Sequence, residues 1–197
     1  MRSFAAILFL LAAAGPASLK ADLFTFEGFP DSTSLTTQYP GLTFQNATIL
    51  SSGAVGGLLN EFEFPPHSGV NVVFDDGGPM SISFASPVLS FSGFFTYAEP
   101  LVLAAFDATS SEVGSAVSAF SSNLALSGDT GSSPNEFLQV SFAGGISSVT
   151  ITGDPGGGSF VLDDASITTP TAVPESNSLV LLLTIAVAIL AFRRRFV

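Results

Sequence analysis

The chain has no cysteine, no tryptophan, two tyrosines and a single histidine, His67. Without cysteine an exported fold has no disulfide framework, and thiol catalysis and cysteine-based zinc or iron–sulfur sites are excluded. One histidine excludes a histidine-rich metal cluster as well. Basic side chains are confined to the edges: Arg2, Lys20, Arg193, Arg194 and Arg195, with none between Ala21 and Phe192. All sixteen acidic residues fall inside that span, and the net charge is −11. Such a domain repels phosphate backbones and anionic lipid heads, which excludes nucleic acid as a partner, and it attracts cations. The simplest consequence of the acidity is a soluble exported domain.

Long apolar runs occur only at the two ends. Met1-Arg2-Ser3-Phe4 is followed by an apolar run from Ala5 to Ala14, then by the small or helix-breaking Pro16, Ala17 and Ser18. That layout predicts a secretory signal peptide over 1–21, a helix too short to be a membrane span, with cleavage after Ala21 or Ala17. At the other end Val173-Pro174-Glu175 precedes an uncharged stretch, a predicted membrane helix over 178–192, and the basic end Arg193-Arg194-Arg195. The stretch is short for a span of about 20 residues, but Ser178 and snorkelling arginines extend it. Arginines after an apolar helix stay on the cytoplasmic side, so the preceding domain faces outward.

This three-part tail, residues 173–197, resembles that of the PEP-CTERM exported proteins of Gram-negative bacteria. The resemblance implies export through the secretion translocon, transient anchoring in the inner membrane, and recognition by an exosortase that processes the tail. Pro174 and Glu175 match the motif, whereas Ser176 stands where the second proline usually sits.

Between the ends, over 22–167, short alternating or apolar runs recur at strand length. Examples are Leu23 to Phe26, Val70 to Phe74, Met80 to Phe84, Leu89 to Phe91, Leu101 to Phe106, Phe137 to Phe142, Val149 to Ile151 and Phe160 to Leu162. Turn signals separate them, among them Asp76-Gly77-Gly78-Pro79, Ala143-Gly144-Gly145 and Gly153 to Gly158. Serine and threonine alternate with apolar residues, as expected of strands with one wet and one buried face. Many short strands at regular spacing predict an all-β fold, an antiparallel β-sandwich with a phenylalanine-rich core. Thr168 to Ala172 reads as a linker to the tail.

A second resemblance lies at the two edges of this domain. Phe24-Thr25-Phe26-Glu27-Gly28 and Gln38 to Phe44 look like the opening of exported jelly-roll domains, and Gly158 to Ala165 like their closing strand. In carbohydrate-binding jelly rolls the first and last strands lie side by side and a calcium ion can staple them. Glu27, Asp163 and Asp164 are therefore the candidate ligands for structural calcium, which needs six to eight oxygens. With no basic side chain in the domain, a buried carboxylate cluster has no protein cation to neutralise it. The alternative is that these carboxylates are solvated at a strand end.

The other acidic motifs point to dull roles. Asp75-Asp76-Gly77-Gly78 and Asp154-Pro155-Gly156 lack EF-hand spacing and read as turns. Glu61-Phe62-Glu63-Phe64 reads as a strand with an outward acidic face. No G-x-S-x-G elbow is present, no carboxylate pair is marked for glycoside hydrolysis, and His67 sits in a Pro-Pro loop. The expected function is therefore non-enzymatic: an exported structural or adhesive protein of the cell surface or extracellular matrix, associated with exopolysaccharide. A carbohydrate-binding module is the alternative and a glycoside hydrolase the remote one. Exposed aromatic rings beside polar side chains in a concave sheet would favour the module, and two carboxylates converging in a cleft would favour the hydrolase.

Overall fold

The computed structural model describes residues 18–171. Nine strands occur there: β1 (Ser18–Phe24), β2 (Leu42–Gln45), β3 (Ala47–Ser51), β4 (Asn71–Asp75), β5 (Met80–Tyr97), β6 (Val102–Phe106), β7 (Glu112–Val117), β8 (Glu136–Thr152) and β9 (Phe160–Thr171). They follow the order β3-β4-β9-β5-β8-β6-β7, with β1 paired to β9 and β2 to β5. Every strand pairing with a described register is antiparallel. β1 pairs with β9, but the opening motif Phe24 to Gly28 gives it only Phe24, and the strand expected over Leu23 to Phe26 ends at that residue.

Two long strands organise the sheet. β5 and β8 pair from Met80↔Ile151 to Phe95↔Glu136, with register shifts around Val88. Before the shifts β5 is flanked by β2 and β8; after them it is flanked by β9 and β8. The irregularity is where the sequence places breakers. Pro87 has no amide to donate, and Gly145, at φ +95°, lies so close to Pro87 that an added Cβ would sit 2.8 Å from its Cβ. Bulges at such positions bend and re-aim a strand without ending it. Ala143-Gly144-Gly145 is thus a bulge inside β8, not a turn between strands. Met80 to Phe84 and Leu89 to Phe91 are likewise one strand.

Both halves of the bent sheet feed one core. Ile82, Leu103 and Ile151 from one half and Phe91, Phe95, Val73 and Leu162 from the other belong to a single cluster of buried side chains. Phe26, Phe44, Phe84, Phe91, Phe95 and Phe160 are all buried in it. Burying a phenylalanine contributes about 1.5–3 kcal/mol relative to leaving it in water, so these rings dominate the packing. A smaller cluster of Leu59, Val72 and Val161, flanked by Leu50, Phe64 and Phe74, forms on the other face of β4 and β9. It is roofed by the segment between β3 and β4. This explains why β4 is buried on both faces and reads as a continuous apolar run.

Three boundaries differ from the sequence reading. Residues 18–21, assigned to the signal peptide, are strand, and β9 runs to Thr171 through most of the expected linker. Glu61 to Phe64 is a turn, with the Glu63 and Phe64 amides both donating to the Asn60 carbonyl at 3.1 and 2.9 Å. Its two acidic side chains each accept backbone amides, Glu61 from Gly53 and Ala54 and Glu63 from Leu126 and Ser127. Among the described residues no helix is long and apolar enough to cross a membrane. The helix expected at 178–192, the motif Val173-Pro174-Glu175 and Arg193 to Arg195 lie outside those residues.

Candidate functional site

With no lysine or arginine between Ala21 and Phe192, carboxylates in this domain are satisfied mainly by peptide N–H groups. Asp31 accepts the amides of Ser51 and Leu58, Glu27 those of Val70 and Asn71, and Asp129 those of Ser121 and Ser122. The Glu27 bonds, both 2.9 Å to Oε1, fix the C-terminal end of the 65–70 loop. Gly69 makes this possible: its φ is +58° and an added Cβ would overlap the Glu27 carboxylate. Asn71 completes the anchor, donating to the carbonyls of Phe26 and Phe29 and accepting from the Ser51 hydroxyl.

The other end of this loop is held by β9. Opposite Gly93 the register slips from Ser92↔Ser166 to Phe94↔Asp163, so β9 carries a bulge at Asp164 and Ala165. Asp164 takes φ +46°, a left-handed conformation that Asp tolerates better than most residues. A Cβ on Gly93 would run into Leu162, so the residue opposite the bulge has no room for a side chain. The bulge turns two consecutive carboxylates toward the loop. Asp163 accepts the Ser68 amide at 2.9 Å and the Asp164 amide at 2.7 Å. Asp164 accepts the Ser68 hydroxyl at 2.9 Å on Oδ1 and faces His67 Nδ1 at 2.7 Å on Oδ2.

His67 then lies flat on Phe94, ring centroids 3.5 Å apart and planes 9° from parallel. Phe94 is the register partner of both Asp163 on β9 and Phe137 on β8, so the three form a row across the sheet. Phe137 packs tilted against Phe94 at 5.3 Å and stays 51% exposed. Two residues along, the next row is Ser166, Ser92 and Gln139. The result is a surface of aromatic rings bordered by the Gln139 amide and the half-buried Ser166, with Ser92 buried between them and Asp164 at the Nδ1 edge of the imidazole.

Burial is the main cause that pushes Asp163 up to about 6, with the Asp164 charge adding to it and the Ser68 amide opposing. Nδ1 is the ring nitrogen turned to the Asp164 carboxylate, which accepts its N–H, and Nε2 is left free of that contact. The Ser68 hydroxyl and the imidazole both turn to Asp164, so Nδ1 is not placed to deprotonate Ser68, as a serine–histidine relay would require.

The expected calcium ligands divide into two positions. Asp163 and Asp164 grip one end of the 65–70 loop, and exposed Glu27 grips the other. Among the described residues no three His, Asp or Glu side chains are grouped to hold a metal ion. The expectation rested on carboxylates lacking a protein cation; amides, a hydroxyl and His67 provide the compensation. Asp75, read as a turn residue, is instead fully buried. Asp154 to Gly156 is a turn as read, closed by Gly157 N–H to the Asp154 carbonyl at 3.0 Å. The sequence marks Phe137 only as the start of a strand run and does not single out Phe94 or Ser68. The alternation of Phe94 with Phe91 and Phe95 was the one available signal.

A separate cleft of about 200 Å³ is lined by apolar Leu42, Phe84, Val88 and Ile167, with Asp22 its single carboxylate. Asp22 is paired with Lys20 at 2.7 Å. A cleft with two converging carboxylates, the mark of a glycosidase, is not what these residues form.

No protein-family model matches the chain, and no curated protein matches it. Among solved structures it is similar to the K2 cleaved adhesin domain of Lys-gingipain, at 14% identity over 75% of this chain and 99% of that one, with a TM-score of 0.47. It is also similar to a family 29 carbohydrate-binding module, at 12% identity over 77% and 90% with a TM-score of 0.39. A family 6 carbohydrate-binding module gives 10% identity over 72% and 96% with a TM-score of 0.37. At such distances no residue of the His67 surface has a counterpart assigned by descent.

Proposed function

We propose that this chain is an exported, non-enzymatic adhesive module of the cell surface or extracellular matrix, and that it holds polysaccharide on the His67–Phe137 surface. The carrying observation is the exposed Phe137 beside the Phe94–His67 stack, with the exposed Gln139 amide two residues along the same strand face. Sugar rings present C–H faces and hydroxyl edges, and a flat aromatic next to amide and hydroxyl groups complements both. The bent nine-stranded sheet, with both halves packed on one core, is read as a jelly-roll-like sandwich presenting that surface on its outer face. Export by the translocon, a pass through the inner membrane and processing by an exosortase follow from the two end segments. Those segments bring the domain to where polysaccharide is found.

Affinity electrophoresis in gels cast with soluble polysaccharides tests the reading. The full chain is expected to be retarded by at least one of them, and Phe137→Ala to weaken that retention about tenfold, the loss usual for an aromatic hot spot. No retardation above an inert β-sandwich control, across the whole panel, would overturn it.

A further inference from the structure

The charge pattern around this surface narrows the ligand class, on the reading that the surface holds a saccharide. We propose that the ligand is an uncharged polysaccharide, stacked on Phe137 and His67 and donating a hydroxyl to His67 Nε2.

Charged glycans find no complement here. A uronate or sulfate group would need an ammonium or guanidinium, and none exists between Ala21 and Phe192. It would also approach the carboxylates of Asp163 and Asp164, which repel it. An amino-sugar polymer would need a free carboxylate at the surface. Asp163 and Asp164 are 1% and 9% exposed and already committed to Ser68, His67 and a backbone amide. Neither can turn outward without releasing the loop.

A neutral glycan meets what is present. One face of Phe94 is covered by the imidazole, so the rings open to a ligand are His67, whose side chain is 36% exposed, and Phe137. Asp164 fixes the imidazole by its Nδ1 side, which leaves Nε2 as the ring nitrogen available to a sugar hydroxyl. Gln139 lies two residues from Phe137 on the same strand face and supplies an amide donor and acceptor. Hydroxyl groups, not charges, are the chemistry this set recognises.

The test uses the full-length chain in gels containing galactomannan, xyloglucan or hydroxyethyl cellulose as neutral polymers. Alginate is the anionic probe and glycol chitosan the cationic one. The expected result is retention by at least one neutral polymer, about tenfold or more tighter than by alginate and insensitive to added salt, with His67→Ala and Phe137→Ala each weakening it about tenfold. His67→Gln, which keeps an acceptor and loses the ring, is expected to fall between. Phe137 is exposed, so its variant remains folded and informative if His67→Ala does not. Retention only by alginate or only by glycol chitosan would overturn the neutral-ligand assignment while leaving polysaccharide binding standing. Neutral binding that neither variant alters would place the ligand elsewhere. Silence from the whole panel would remove the broader reading too.

Discussion

Asp75 holds Ser159 by two different groups at once. Its carboxylate accepts the Ser159 amide at 2.9 Å on Oδ1 and 3.1 Å on Oδ2, and the Ser159 hydroxyl at 3.0 Å. The Phe160 amide adds a further bond at 2.9 Å. These contacts start β9 against the end of β4, so they set the register at the centre of the sheet. Asp75→Ala strands two buried amides at about 1–3 kcal/mol each. Urea unfolding is expected to show a loss of about 3 kcal/mol or more, with Asp75→Asn milder because one acceptor oxygen is kept. A loss within error of zero would mean that water replaces the carboxylate.

Gly69 and Glu27 give a second, local test. Gly69→Ala brings a methyl group onto the Glu27 carboxylate at a positive φ, and is expected to cost about 1–3 kcal/mol. The damage should centre on the 65–70 loop. Hydrogen exchange at Val70 and Asn71 is expected to accelerate more than at Phe95 in the core. Equal acceleration at both sites would show that the loop is not separately anchored.

Stability should pass through a maximum in mild acid, because two sets of carboxylates oppose each other. Burial raises Asp75 and, with help from the Asp164 charge, carries Asp163 to about 6. A carboxyl raised in this way binds its proton more readily when folded, so its contribution grows as pH falls from above 6 toward the unfolded value of about 4. The opposite set is lowered: Asp31 by the Ser51 amide, Glu63 by that of Leu126, Glu61 by backbone amides including that of Gly53, and Asp107 by the Thr109 hydroxyl. Their contribution is complete above about 4 and is lost as pH falls below it. The melting temperature is expected to climb from pH 7.5 to about 5 and fall below about 4. Asp164 and His67 face Asp163, so Asp163→Asn isolates its share: the climb should flatten while the acid limb persists. A melting temperature that declines steadily from pH 7.5 to 5 would contradict the raised pair.

Processing can be read by intact mass. β1 begins at Ser18, so cleavage after Ala17 leaves the whole strand for pairing with β9, whereas cleavage after Ala21 leaves only Asp22-Leu23-Phe24 of it. Surface-released protein from the native host is expected to start at Ser18 and to lack the segment after Glu175. A protein starting at Asp22, or one found intact in the membrane fraction, would overturn the respective half of this expectation.

Much of the fold was legible because its cause is local. Alternation marks Met80 to Phe84, Leu101 to Phe106 and Phe160 to Leu162 as strands, whereas β1 begins inside the predicted signal peptide. What local pattern could not show is continuity through a breaker. Gly145 reads as an end, yet it faces Pro87 across one pair of strands, and the two strands continue through the irregularity. The site was less legible for a similar reason. His67 looked idle beside two prolines because its partner, Asp164, is 97 residues away. Asp163 and Asp164 were singled out for their charge, but a bulge, invisible in composition, decides which way they face. Phe94 differs from Phe95 only by one step of the pleat, and that step separates the face that carries His67 from the core.

The use of peptide N–H groups as carboxylate partners has a consequence for ionic strength. Ion pairs weaken as electrolyte accumulates, because mobile ions screen opposite charges beyond a Debye length of about 8 Å near physiological conditions. Hydrogen bonds such as those at Glu27, Asp75 and Asp129 act at contact distance and are not screened in this way. What electrolyte does weaken here is the mutual repulsion of a net charge of −11. The melting temperature should therefore rise with sodium chloride.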